Sequence, residues 1–585
     1  MKSRTFYSAI ALLAGLLVLI GVVGFWGLTA QNPKALIAHG GQEQPRAAQF
    51  VPRQSPVMVS LLARPDRLWQ LRQLFTSANQ RFAARQEWQS LQQSLEEVVG
   101  WNYDADVRPW LDEEATFAVT TADLDRDPSN GQQPGYLVVL SCRDAVAARA
   151  ALHRLWQQRA AQGRNLVFAT TAGVALISDR PLLPVTTSRL SSPAADLALD
   201  TLATTMVGDR YVLLANDEQV LRQAIATYSA PDVSLAQAPD HRAAIAALSP
   251  NRIGWVYCNV PNFLTWLGVE TPEGRQPIKP AGQQAQGVFI SLQALTDGLL
   301  GNTAIAPAPG ASLSTPATSP SVENSFPASV FELLPENTLL ATTGRNLSQH
   351  LASLDIGIGG YRFTQNAVNA IFESWSLTPT VAVPELASAW QGDYAIGLLP
   401  GSRPHWFVIT EPSSSGDFAA IDDFAASQGL TVSRIPYGEQ TITTWTRLAL
   451  TRSRATAPLS ITTEVVAVHA PRQGYEILST SLEGLQRILQ PAGPATLSGQ
   501  PVLTRLLEEL DPSGDNLTYL NWPALAPQLT RQFPWLQALE VAGRPLTNHI
   551  GPIVINASRP VSQLQIQLQM GTIAIKLTEN PEKTS

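Results

Sequence analysis

The densest set of side chains able to do chemistry is the acidic run DLDRDPSNG (123–131). Asp123, Asp125 and Asp127, followed by Asn130, alternate along it, and alternating oxygens are what a calcium loop supplies. Two departures weigh against a metal. Pro128 stands where the sharp turn of such a loop needs Gly, and Pro134 stands where a closing Glu belongs. The run is therefore expected to form a solvated hairpin loop, with these three aspartates as the chain's weak calcium candidates.

The remaining reactive residue types are scattered. The seven histidines (39, 153, 241, 350, 405, 469 and 549) form no HExxH, HxH or i, i+4 pair. GxSxG, GxxxxGK[ST] and GxGxxG are absent, and GIGG (357–360) lacks the strand-to-helix setting of a phosphate loop. Cys142 and Cys258 each end an apolar run; free buried thiols are the expected state, with a disulfide in an oxidising compartment as the alternative. No cofactor follows from any of these patterns, and no catalytic residue is assigned. Distant groups could still meet in space, as catalytic triads do.

The elements that must position such groups recur along the chain. PNRIGWVYCNVPNFLTWL (250–267) and PSGDNLTYLNWPALAPQL (512–529) both run from Pro through an apolar stretch to Tyr-x-Asn-x-Pro. Tyr257, Asn259 and Pro261 thus align with Tyr519, Asn521 and Pro523. Pro suits the first turn of a helix, where its missing N–H costs nothing. Asn suits the corner before it as a turn or cap residue. The segments upstream, 208–231 and 472–494, each suggest strand, polar turn and amphipathic helix. Segments 110–156 and 390–429 pair likewise, as do 287–305 and 551–570. Recurrence in fixed order predicts a duplicated domain.

Charged residues make up 15% of the chain, below the usual quarter, so large buried cores are expected. A formal net charge of −7 with no basic stripe argues against nucleic acid. Short strand patterns joined by hairpin-like turns, such as LQIQLQ (564–569), predict α+β domains with mainly antiparallel sheets packed by helices.

Phe6 to Leu28 is apolar apart from Tyr7 and Ser8, long enough to cross a bilayer of about 30 Å. Lys2 and Arg4 precede it, which predicts a cytoplasmic N-terminus with the remaining chain across the membrane. A cleaved signal peptide is the competing reading, and Leu28 is bulky for its cleavage site. The expected organisation is a stub and membrane helix (1–30), a linker (31–48), a first domain (49–306), a Pro/Ser/Ala/Thr-rich linker (307–330), a second domain (331–577) and a tail (578–585).

An N-terminal anchor followed by a duplicated unit, opening at Val51–Leu71 and again at Leu334–Leu351, resembles the domain-of-unknown-function 3352 family of cyanobacterial membrane-anchored proteins. The resemblance implies a periplasmic or thylakoid-lumenal setting and carries over no activity or catalytic residue. The expectation is a non-enzymatic, single-pass scaffold or assembly factor with a protein partner in or at the membrane. The alternative is a carrier module for a lipid, pigment or other hydrophobic ligand.

Overall fold

The computed structural model describes residues 35–75, 100–127, 132–180, 201–266, 285–307, 328–345, 392–401, 405–411, 417–438, 440–451, 460–490, 496–510, 516–532, 549–564 and 566–577, with Phe82, Gln86, Gln89 and Gln93. The apolar segment 6–28 lies outside them, as does most of the 307–330 stretch. Among the described residues, no helix is long and apolar enough to cross a membrane.

Among the described residues, twenty strands fall into two sets. The first is β1 (Val57–Leu61), β2 (Leu111–Thr121), β3 (Gly135–Cys142), β4 (Asn165–Thr171), β5 (Val174–Arg180), β6 (Ala203–Val207), β7 (Tyr211–Ala215), β8 (Gly254–Asn259), β9 (Ala285–Ala294) and β10 (Gly298–Pro307). The second is β11 (Leu340–Gly344), β12 (Tyr394–Leu399), β13 (His405–Thr410), β14 (Thr431–Tyr437), β15 (Gln440–Thr451), β16 (Ser460–Arg472), β17 (Tyr475–Ser479), β18 (Asn516–Asn521), β19 (Ile550–Gln563) and β20 (Ile566–Leu577). Every ladder is antiparallel. The first set runs β4-β5-β6-β7-β3-β2-β1-β8-β9-β10. The second runs β14-β15-β16-β17-β13-β12-β11-β18-β19-β20, the same order position for position.

The two halves meet where β10 pairs with β20, from Gly298↔Lys576 to Ile305↔Gln569. One sheet therefore runs through all twenty strands and ends at β4 and β14. Asp297, in the turn before β10, accepts a hydrogen bond from the Lys576 ammonium across this seam. The expected strand LQIQLQ opens β20 from Ile566 on, and its first residue lies in the turn before it. Leu564 takes a left-handed conformation (φ 48°) between Gln563 and Ile566, which face each other, and it stays exposed.

Helices cover the sheet. In the first half these are α1 (Ala35–His39), α2 (Pro65–Phe75), α3 (Ala145–Ala161), α4 (Glu218–Ser229), α5 (Pro239–Ala247) and α6 (Val260–Trp266). In the second they are α7 (Ala328–Phe331), α8 (Asp417–Ser427), α9 (Leu482–Leu489), α10 (Pro501–Glu508) and α11 (Trp522–Gln532). Their starts follow local chemistry. Asp144, Asp217 and Ser481 cap α3, α4 and α9 by accepting backbone N–H bonds. Pro opens α2, α5 and α10. α4 and α5 bury Val220, Leu221, Ala243 and Ala244 against Leu213, Trp255 and Phe289 on one sheet face. α3 buries Ala148, Ala151 and Leu155 against Val212 on the other. The stretch 31–48, read as a linker, is packed where it is described: Leu36 packs in α1, and Ala47 and Ala48 are fully buried in a 3-10 turn (Arg46–Phe50).

Candidate functional site

The aspartate run lies in the hairpin between β2 and β3, and residues 128–131 lie outside the described part. Asp123 accepts from the Gln133 N–H (3.1 Å) and Asp125 accepts from the Gln133 side-chain amide (3.0 Å). Asp125 also accepts from the Asp127 N–H (2.9 Å). Burial and the neighbouring Asp125 raise the Asp123 carboxyl above its ordinary range. These bonds close the hairpin. Among the described residues, no three His, Cys, Asp or Glu side chains are arranged so that they could hold a metal ion.

The repeated Tyr-x-Asn-x-Pro residues occupy matching corners. Asn259 accepts from the Asn262 N–H (3.2 Å) and Asn521 from the Ala524 N–H (3.4 Å), so each caps the helix that follows. Pro261 and Pro523 sit second in α6 and α11. Tyr257 donates to the Arg53 carbonyl (2.9 Å), whereas the buried Tyr519 hydroxyl has no partner. Desolvation raises both phenols, Tyr519 to about 12. Cys142 and Cys258 are free thiols. β2 and β1 separate their strands, a span of about 14 Å that exceeds the reach of a disulfide.

Three of the histidines that look scattered in the sequence, His241, His405 and His469, lie in buried polar clusters, and each has an apolar or uncharged counterpart in the other half. His469, on β16, sits between two carboxylates. Its Nδ1 is 2.6 Å from Glu476 Oε1 on β17, and its Nε2 is 3.0 Å from Asp422 Oδ1 on α8. The Trp445 indole N–H donates to the same Asp422 oxygen at 2.8 Å. Burial alone would lower the imidazole pKa, but the two carboxylates override it and hold the ring above its ordinary value. Burial likewise opposes the Asp422 charge, and the bonds from His469 and Trp445 still lower its pKa. With both ring nitrogens occupied, His469 has no lone pair for a metal or for a nucleophile's proton. Register places Thr204 and Val212 at the positions of His469 and Glu476 in the first half. Trp156 stands where Asp422 does, and it simply donates to the Thr204 hydroxyl (2.9 Å).

His405, at the start of β13, lies 2.8 Å from Ser481 Oγ through Nδ1 and 3.4 Å from Glu483 Oε2 through Nε2. Hydroxyl, imidazole and carboxylate follow one another as in an acyl-transfer relay. Here the hydroxyl also caps α9 by accepting from the Gly484 N–H (3.0 Å), and Glu483 is half-exposed and paired with Arg487. The set clamps a helix end. Its first-half counterpart exchanges large for small. Gly135 replaces His405 and packs beside Val220, and Val220 replaces Gly484. A Cβ on Gly135 would meet Val220 at 2.9 Å, and one on Gly484 would meet the His405 Cβ at 3.0 Å.

His241, third residue of α5, is wholly buried, and among the described residues neither of its nitrogens has a hydrogen-bond partner. Its ring packs edge-on to Trp255, whose indole N–H is also unpartnered, and Arg252 lies 4.9 Å over the same indole. Desolvation and the Arg252 charge push His241 down to about 3, so it is neutral. Desolvation also lowers Arg252, to about 10. In the second half Leu503, Leu517 and Val554 take the places of His241, Trp255 and Phe289. The sequence did carry a signal for all three clusters: each His faces a non-His residue once the repeats are aligned.

A fourth buried group is Glu114 on β2. It accepts from the N–H groups of Ala47 (2.8 Å) and Arg46 (3.1 Å), tying down the 3-10 turn that opens the first half. Burial pushes its carboxyl up to about 7 despite these bonds.

No curated protein and no solved structure matches the chain. A family model described as a protein of unknown function (DUF3352) matches residues 10–575, nearly the whole length, and the chain belongs to that family.

Proposed function

We propose that this protein is a membrane-anchored, non-enzymatic scaffold or assembly factor. Two homologous domains, at 49–306 and 331–577, would be held in the periplasm or thylakoid lumen by the apolar segment 6–28. The observation that carries the reading is the join of β10 to β20 inside one sheet with matching strand order on either side. Such a join holds two similar surfaces at a fixed separation. Nineteen strand spacings amount to about 90 Å at most along the sheet. A rigid spacer of that length with an equivalent hairpin at each end suits the bridging of subunits in a larger assembly.

The same geometry favours a scaffold over a hydrophobic carrier. Among the described residues the sheet stays open and its end strands, β4 and β14, are free on one side, and its faces are packed by helices through large side chains such as Trp110, Trp255 and Trp445. The test is native mass spectrometry of tagged, full-length protein extracted from its own membranes in mild detergent. Copurifying protein subunits in fixed stoichiometry are expected. A solitary protein carrying a stoichiometric lipid or pigment would overturn the scaffold reading in favour of the carrier.

A further inference from the structure

Each half of the sheet has two edges. The inner edges, β10 and β20, satisfy each other; the outer edges, β4 and β14, have no partner strand on their far side among the described residues. Unpaired strand edges are templates for further strands, and proteins usually block them with charge or proline. The two outer edges differ in this respect. Both span seven residues and follow a helix through a left-handed Gly, Gly163 in one half and Gly429 in the other. Aligned on those glycines, Phe168 of β4 matches Arg434 of β14, and Thr170 matches Pro436. The register with the neighbouring strands agrees, since Phe168 faces Ile177 and Arg434 faces Thr443. β14 (TVSRIPY) therefore carries both blocking devices. β4 (NLVFATT) carries neither, and its central Phe168 is 72% exposed.

Pro436 also shows which backbone groups face outward. Proline is tolerated in a paired edge strand where its nitrogen points away from the partner. N–H and C=O of one residue point the same way, and the direction alternates along the strand. By equivalence Leu166, Phe168 and Thr170 turn their backbone groups outward from β5.

We propose that β4 is a self-association edge, pairing antiparallel with β4 of a second copy about a two-fold axis through Phe168. Phe168 then faces its symmetry mate, and Leu166 faces the mate's Thr170. About six backbone hydrogen bonds result, two for each facing pair. The seam between β10 and β20 already uses this mode of contact within one chain. An uncharged edge is self-complementary, and the two exposed Phe168 rings cover each other. The blocked β14 edge explains why association stops at two. A chain with two open edges would extend into a filament, whereas one open and one blocked edge give a closed dimer. A seven-residue pair is a small interface, so association depends on concentration.

The experiment is sedimentation velocity on the full-length protein in mild detergent across a concentration series, alongside hydrogen exchange of the 165–171 peptide. Wild type is expected to dimerise, and protection of that peptide to rise with concentration. Phe168→Arg with Thr170→Pro transplants the blocking pair and is expected to weaken dimerisation about tenfold or more. Unchanged circular dichroism and thermal unfolding would show that the variant folds. The converse variant, Arg434→Phe with Pro436→Thr, opens the second edge and is expected to form larger, open-ended species. Three results would overturn the proposal. The wild type could stay monomeric throughout. The dimer could be indifferent to the β4 variant, which assigns it to another surface. Or the 165–171 peptide could become protected only when a different protein is bound. Copurification of partner subunits bears on the scaffold reading alone, so the two can fail separately.

Discussion

The Asp422–His469–Glu476 cluster makes the docking of α8 on the sheet depend on pH. His469 is held above its ordinary value of 6.5, so its stabilising contribution is complete below about that pH. It fades as the pH rises through the elevated folded value. Asp422 behaves in the opposite sense. Its depressed pKa contributes stability above its ordinary 3.8 that is lost on strong acidification. Protection of α8 should therefore peak in mildly acidic solution. The magnitude follows from what deprotonation leaves behind: two carboxylates, each 13% exposed, on either side of a neutral ring. Breaking a buried ion pair costs about 3 kcal/mol at the lower end of the usual range. That corresponds to roughly 150-fold in the opening equilibrium of the helix.

The assay is hydrogen exchange with mass spectrometry of peptides spanning Asp417–Ser427 between pH 5.5 and 8.5, corrected for intrinsic exchange. Protection should fall with rising pH at no more than about tenfold per pH unit, the limit for one proton. His469→Ala should cost about 3 kcal/mol at the acidic end and flatten the profile. Helix α3, whose matching contact is the neutral Trp156–Thr204 bond, serves as the internal control. A flat wild-type profile for α8, or protection that rises with pH, would refute the reasoning.

Three further outcomes are expected. His241→Leu borrows the residue of the second half and removes two unpartnered buried nitrogens; it should raise stability by about 1–3 kcal/mol in urea unfolding, and a loss would show that the imidazole has a partner. Glu114, whose folded pKa is about 7 against an ordinary 4.5, favours folding most when neutral. Stability should decline between those pH values by up to about 3 kcal/mol. Glu114→Gln should remove that slope, whereas parallel urea-midpoint curves would contradict it. Gly484→Val should destabilise the second half by about 1–3 kcal/mol through overpacking, and His405→Gly in the same chain should recover part of the loss, because Gly135 and Val220 already coexist in the first half. Additive effects in that double variant would show the two sites to be independent.

Much of the local structure was legible in the chain. Pro65 and the Asn-x-Pro corners at Asn259 and Asn521 act within a few residues of themselves, so their caps and helix starts could be read directly. The short apolar strands and hairpin turns were legible for the same reason, and they predicted an α+β fold with antiparallel sheets. The LQIQLQ strand shows the limit of such reading: the alternation holds from Ile566 on, but the turn at Leu564 is too weakly marked to see. Aligning the repeats matched strand with strand, but the odd histidines stood out only when the strand register and the helix starts matched them with Thr204, Gly135 and Leu503. What only the tertiary structure decided is where non-neighbouring residues meet. His469 finds Asp422 on a helix 47 residues away in the chain, Glu114 finds the N–H of Ala47 across 67 residues, and β10 finds β20. Strand pairing and the partners of a buried charge are set by which edges and faces come together in three dimensions. Residue type fixes what a side chain can bond to, but distance along the chain says little about which partner is within reach.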